Sequence, residues 1–404
     1  MKQRRLAPAA ALALPLALLA TACGSGGGDE SGGDPTQLTF WDGFTQYNTG
    51  GSPFEELIAT CEDETGITIE RTVSDNIYDK YTRAASTGDL PDLLILDNPN
   101  VAQFAETGIL ADNEAAGIDT SEMQPNIVAS GIYEGKTYGA PFGSNTLALF
   151  YDVDAFAEAG LEPPTDWDSL RSAAQALTDP ATGRYGIAFS ARPDQEGTFQ
   201  FLPFFWGAGA ELTDVDSPEA VEALTLWTDL VADGYASGEN VTLNQQEIRD
   251  QFTAGHAAMM VNGTWQLNTL DDSDVNYAVV PIPAPDGGAA PSPLGGEFIN
   301  VVQNEDAAIV TAAGEFASCF TSRENLAGWL EGQTYISPYA DQAEEQAADD
   351  PRLVPWVEAV GAARSRTEDL GSSFASVATR LGEALSGAVA GQTDPATALA
   401  DAAQ

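Results

Sequence analysis

Leu90-Pro91-Asp92-Leu93-Leu94-Ile95-Leu96 is a near-continuous apolar run. It is short, and residues 93–96 place no polar side chain on either side of a pleat, so it reads as a strand covered on both faces. The stretch before it supplies the rest of the pattern. Residues 37–41 (QLTFW) read as a strand, and Ser52-Pro53-Phe54-Glu55 is a capping box with proline at the first helical position. Gly66 stops that helix, residues 67–73 make a second strand, and residues 76–87 a second helix. Strand, helix, strand, helix, strand is the βαβ order, which predicts an α/β fold on a parallel sheet.

The middle of the chain repeats the alternation. Residues 146–151 read as a strand, Thr165 caps a helix reaching residue 177 with Asp168 three positions on, and residues 185–190 read as another strand. Ser217-Pro218 opens a long helix to residue 231; residues 248–254 read as helix and 257–261 (AAMMV) as strand. Residues 276–282 form a strand that runs into the proline-rich stretch 281–293, and 297–302 a further strand. From Asp306 onward the pattern is mostly helical, broken at Ser365-Arg366-Thr367 and at Gly371.

The front of the chain is of another kind. Lys2, Arg4 and Arg5 precede a small-residue apolar run over 6–22 that ends at Cys23. A basic start, a short apolar stretch and small residues before a cleavage point make a secretory leader, not a fold element. The run falls short of the roughly 20 residues a membrane span needs, and Pro8 and Pro15 interrupt it. Ala20-Thr21-Ala22-Cys23 resembles the bacterial lipoprotein signal, with Ala20 where that pattern prefers leucine. The resemblance implies removal of residues 1–22 and a lipid anchor at Cys23; the alternative is an ordinary secreted protein. Residues 24–34 (GSGGGDESGGD) extend Cys23 into a flexible tether over 23–35, of the kind that holds a domain off a surface.

About 370 residues follow, which is too many for one ordinary core and suggests two domains. The net charge is −45, with acids spread along the chain as solvated helix faces would be. That balance argues against nucleic acid and against anionic membrane surfaces as partners. With Cys23 taken by lipid, Cys61 and Cys319 remain, an even pair outside the cell and hence a candidate disulfide. Two separately buried thiols are the alternative. Phe54, Leu57, Ile58 and Cys61 share one helix face, so Cys61 points inward.

Several motifs then fall in a familiar order: Phe40-Trp41-Asp42-Gly43, Leu90-Pro91-Asp92-Leu93, Tyr138-Gly139-Ala140-Pro141-Phe142 and the run 146–152 (TLALFYD). Residues 159–167 (AGLEPPTDW), 252–259 (FTAGHAAM), Asn262-Gly263-Thr264-Trp265, Gly295-Gly296 and 320–325 (FTSREN) follow. From about Leu38 to the C-terminus this set resembles the bacterial extracellular solute-binding proteins (family 1, maltose-binding-protein-like), the receptors of ABC sugar importers. The resemblance implies a two-lobed periplasmic-binding-protein-like fold with three interlobe crossovers, expected near 142–145, 281–285 and 334–339. Lobe 1 would comprise 36–143 plus 284–335 and lobe 2 144–283 plus 336–404, so both Cys61 and Cys319 would belong to lobe 1. It also implies a monomer that closes by a hinge around a sugar and presents it to permease subunits, with no cofactor and no metal.

A sugar shows hydroxyl rims and apolar faces, so its site needs aromatic platforms together with carboxylates and amides. In open α/β sheets that site lies beyond the carboxyl ends of strands. Trp41 and Asp42 follow the first strand, Asp97 and Asn98 the run 90–96, and Trp265 the strand 257–261 across a glycine turn. Asn145 falls at the first expected crossover, and Gly295, Gly296 and Glu297 precede a strand. Trp206 and Arg366 complete the candidates. Each has a plainer reading: Trp41 and Trp206 as core, Asp42 and Asp97 as helix or turn caps, and Gly295-Gly296 as a turn.

Catalysis finds little support. The only histidine, His256, reads as structural, no free thiol remains, and neither a phosphate-binding loop nor zinc spacing is present. Asp271-Asp272-Ser273-Asp274 lacks the spacing of a calcium loop. A glycosidase needs only two carboxylates, and 61 acids leave that route open; an enzyme consumes sugar where a receptor returns it intact. A receptor for another solute, or a sensor lipoprotein, would keep the fold and change the task.

Overall fold

A computed structural model describes residues 34–404. The leader over 1–22, Cys23 and nearly all of the tether lie outside the described residues. The strands described are β1 Gln37–Asp42, β2 Thr68–Val73, β3 Leu93–Asp97, β4 Ile132–Tyr133, β5 Lys136–Thr137, β6 Ala140–Pro141, β7 Leu147–Asp152, β8 Met259–Gly263, β9 Tyr277–Val280 and β10 Glu297–Val301. One sheet has the order β2-β1-β3-β10-β6 and a second β8-β7-β9, while β4 and β5 pair as a small hairpin. β1 lies parallel to β2 and β3, as the βαβ pattern requires, and β10 enters antiparallel between β3 and β6. The second sheet is antiparallel throughout, because β8 returns to β7 from the opposite end after the helices between them.

The run at residues 93–96 shows why each sheet is filled on both faces. Leu93 and Ile95 enter one hydrophobic cluster, Leu94 and Leu96 another. The same period of two divides β7, with Leu147 and Leu149 on one side and Ala148 and Phe150 on the other. Four clusters thus correspond to two sheets with two faces each. Around the first sheet pack helices such as Pro53–Thr65, through Phe54, Leu57 and Ile58, and Ala307–Phe320, through Phe316 and Phe320. Cys61 and Cys319 are bonded and join those two helices across 258 residues of sequence. Around the second sheet pack Pro218–Ala232 and Phe374–Val389, through Leu224, Trp227, Leu381 and Leu385.

Local chemistry departs from the sequence reading at four points. Ser52 caps its helix by accepting from the Glu55 N–H, but the Glu55 carboxylate pairs with Arg71 and leaves the box half closed. Asp166 rather than Thr165 caps Trp167–Leu177, accepting from the Ser169 N–H at 2.7 Å. Residues 185–190 make only single parallel bridges, Tyr185 to Ala257 and Ala188 to Met260, beside β8. Gly186 there lies so close to Ala174 that a Cβ would meet its carbonyl oxygen at 2.0 Å. The helix Gln195–Gly207, capped by Asp194, is buried on almost every side, so it carries no amphipathic period to betray it.

Between β6 and β7 the chain leaves the first sheet for the second. The family resemblance places its return at 281–285, yet Ile282, Ala284 and Ala290 still pack with the second sheet. The Leu294 N–H donates to the Arg364 carbonyl, and β10 begins only after Gly295-Gly296, so the return falls there. Further on, Tyr335 packs with the first sheet and Ile336 with the second.

Candidate functional site

A cleft of about 930 Å³ opens where these passages converge. Phe44 and Tyr47 reach it from the turn after β1, and Asp97 from the carboxyl end of β3. On the other side stand Phe199 from the helix Gln195–Gly207 and Trp265 from beyond β8. The ends of β1 and β3 are where a ligand crevice belongs in a parallel arrangement.

Trp265 is placed by the end of its strand. β8 closes at Gly263, and the short turn Thr264–Gln266 swings the indole back over it; a Cβ on Gly263 would meet that ring at 2.1 Å. The ring touches clusters belonging to both sheets, lies 6.4 Å from Phe199, and keeps part of its surface open to the cleft. It is a flat apolar surface of the kind on which a sugar face can stack. Asn145 faces the same space: its backbone exchanges hydrogen bonds with Gly295 at 3.1 and 2.8 Å. Its buried side-chain amide lies against that glycine, where a Cβ would meet Oδ1 at 2.0 Å.

Register explains the charged cluster. β10 pairs antiparallel with β3 so that Glu297 stands opposite Asp97, and partners in register share a face. Arg366 answers Asp97, donating from Nη1 at 2.9 Å and from Nη2 at 2.5 Å. Two more of its donors go to the Leu294 carbonyl at 3.0 Å and Asn98 Oδ1 at 2.9 Å, and its guanidinium carbon lies 4.7 Å from the Phe199 ring centre. Glu297 receives only the Tyr335 hydroxyl, at 3.4 Å. Burial, and then the Asp97 charge, push the Glu297 carboxyl up to about 8. Burial and Asp194 push Glu196, also in the cleft wall, up to about 7. The Tyr47 hydroxyl is held protonated, pushed up to about 12 by burial and by Glu297.

The sequence candidates divide accordingly. Asp97, Asn145, Trp265, Gly295, Gly296, Glu297 and Arg366 line the cleft. Asp97 and Arg366 hold each other there, rather than standing free. Asn98 is 2% exposed and occupied with Arg366 and the Leu294 carbonyl. Asp42 is fully buried and holds Arg71 at 2.7 and 2.8 Å, so it is a structural ion pair and not a ligand contact. Trp41 turns away from the cleft: Tyr81 stacks on it, and the Lys80 ammonium lies 3.5 Å from its ring centre. Trp206 is core, 4% exposed, with Arg364 over its ring. The two glycines serve chain packing, since a Cβ on Gly296 would lie 2.3 Å from the Gly143 carbonyl oxygen.

Sequence reasoning passed over Phe44, Tyr47, Phe199, Glu196 and Tyr335, which also line the cleft. Asp194 followed by an acid in the first helical turn was the available signal for Glu196. The aromatic residues carried none.

The family model for bacterial extracellular solute-binding proteins matches residues 56–355. A binding protein of Brucella abortus is 26% identical over 261 residues, 60% of this chain and 63% of that one, so the match spans just under two thirds of that relative. The maltotriose-binding protein of Pyrococcus abyssi is 26% identical over 283 residues, 67% of this chain and 59% of its own. Among solved structures, an ABC transporter solute-binding protein of Thermotoga lettingae bound with α-D-tagatose is 25% identical with a TM-score of 0.80, covering 91% of this chain and 98% of its own. The GacH receptor of Streptomyces glaucescens, solved free and with acarbose, is 26% identical with a TM-score of 0.78, covering 91% and 96%. With about three quarters of its length inside the family model and the two-sheet fold shared with these receptors, the chain belongs to the bacterial extracellular solute-binding proteins.

Proposed function

We propose that this protein is the sugar-capturing receptor of an ABC importer and carries out no chemistry on its ligand. The observation that carries the reading is the cleft itself: a partly buried indole, Trp265, faces a rim of carboxylates and amides where the two sheets meet. The ligands of similar proteins, maltotriose, tagatose and acarbose, are sugars or sugar-like. Lobe 1 is built on the first sheet and lobe 2 on the second, with crossovers at 143–146, 294–297 and 334–339. A ligand held between them favours the closed arrangement by the difference in its affinity for the two states, and permease subunits read that closure. The leader and Cys23 anchor the receptor by lipid to the outer face of the cytoplasmic membrane, as the name of a Streptococcus pneumoniae relative, a maltooligosaccharide solute-binding lipoprotein, supports. The protein acts as a monomer.

A thermal-shift screen of the chain from Asp34 onward tests this, with mono-, di- and oligosaccharides, polyols and amino acids as probes. A ligand at about 100 times its dissociation constant adds roughly 2.7 kcal/mol, a readily visible rise in melting temperature. A shift with one set of sugars is expected. A shift confined to amino acids or other non-carbohydrates would overturn the sugar assignment.

A further inference from the structure

Glu297 stands in the cleft with little to hold its charge. Its Oε2 is closed off from solvent and has no hydrogen-bond partner among the described residues, and its Oε1 has only the distant Tyr335 hydroxyl. The titratable groups that face it are Asp97 at the end of β3, Arg366 beyond the helix Val354–Gly361, Tyr335 after Arg323–Gln333, Tyr47 in Thr45–Tyr47 and Tyr78 in Ile77–Thr87. Arg366 is the one cation in that set, and four of its five N–H donors go to Leu294, Asp97 and Asn98. Asp97, directly across the β3–β10 pairing, adds a like charge. A buried carboxylate with one long hydrogen bond, a like charge opposite and its nearest cation already paired with another acid is costly, and the remedy open to it is to keep its proton.

We propose that Glu297 meets the ligand as the neutral acid, its carboxyl group turning so that Oε2, otherwise closed off from solvent, donates its hydroxyl to an oxygen of the sugar while Oε1 accepts from a sugar hydroxyl. A neutral acid sets a donor beside an acceptor and so matches neighbouring hydroxyl groups; a carboxylate offers acceptors only. The substrate class this selects is an uncharged sugar. A sugar carrying an ammonium group would instead favour the ionised form. The upward push on the Glu297 carboxyl, to about 8, agrees with the geometry. The inference rests on the sugar-receptor reading.

Calorimetry with the sugar found in the thermal-shift screen tests it, at about pH 7.5 and about pH 9.5; Glu196, also in the cleft wall, still titrates near the lower value, and Glu297→Gln separates its effect. Wild-type affinity is expected to fall by about tenfold or more between them, because a carboxyl near 8 is almost wholly ionised at the upper value. Glu297→Gln is always neutral but a weaker donor. It is expected to bind less tightly than wild type at the lower pH, to hold that affinity at the higher, and to overtake wild type there. Wild-type affinity that stays level or rises with pH overturns the proposal, and so does a Glu297→Gln affinity that falls in parallel. Should the variant not fold, the wild-type profile decides alone. If no sugar binds at either pH, the receptor reading falls and this one with it; a sugar that binds with the wrong profile overturns this inference only.

Discussion

Trp265 and Trp206 are the same side chain in two different employments, and substitution separates them. Trp265→Ala removes the platform, and sugar affinity is expected to fall about tenfold or more in calorimetry while the chain still folds. Trp206→Ala empties a core site instead and is expected to cost about 3–5 kcal/mol in urea unfolding. Asp42 makes the companion case among the acids. Asp42→Ala leaves the Arg71 guanidinium, whose side chain is only 8% exposed, without its main partner, for an expected loss of about 3–5 kcal/mol. An Asp42→Ala protein of wild-type stability would contradict the structural role of the Asp42–Arg71 pair. Residue type and strand-end position were enough to find Trp265, Asp97 and Glu297. They were not enough to set aside Trp41 and Asp42, because what occupies those two, Lys80, Tyr81 and Arg71, comes from elements whose register is invisible in a single sequence.

Strands and helices were legible wherever one face or both had to be apolar. β3, β7 and β8 announce themselves because their alternate residues feed separate clusters. The helix Gln195–Gly207 was hidden by the opposite circumstance, apolar contact all round, and residues 185–190 look like a strand because they are extended and buried without pairing along their length. The return of the chain to the first sheet, expected at 281–285 from the family resemblance, falls at Gly295 and Gly296, which no apolar pattern marks. Gly296 has φ +119° and lies against the backbone of Gly143 and Ser144. Gly296→Ala is therefore expected to destabilise the protein by more than about 1 kcal/mol and to weaken sugar binding at the same time, since it parts two chain crossings that form the cleft floor. Wild-type stability in thermal unfolding would show that the crossings are not packed as described.

Taken as one molecule, the protein is strongly acidic, and two of its carboxyls titrate in an unusual range. Glu196 and Glu297 hold protons up to about 7 and about 8 in the folded state. Unfolded, both ionise at about 4.3. Between those limits the native state binds more protons than the unfolded one, so stability falls as pH rises. The carboxyls held below their ordinary range, such as Asp112 and Asp341, act in the opposite sense, but only at lower pH. The melting temperature is expected to decline from about pH 5.5 to about pH 8.5, with Glu297→Gln declining less, and added salt should raise it by screening a net charge of −45. A melting temperature that climbs over that window would mean neither carboxyl is held protonated.

Above all, the proposed receptor captures a sugar and releases it unaltered. Equilibrium dialysis of the soluble chain against the sugar identified by thermal shift, followed by chromatography of what is recovered, addresses both halves in one experiment. Saturable uptake of one sugar per chain with the sugar recovered intact is the predicted result. Steady conversion of the sugar into a smaller product, or no saturable uptake, would contradict it.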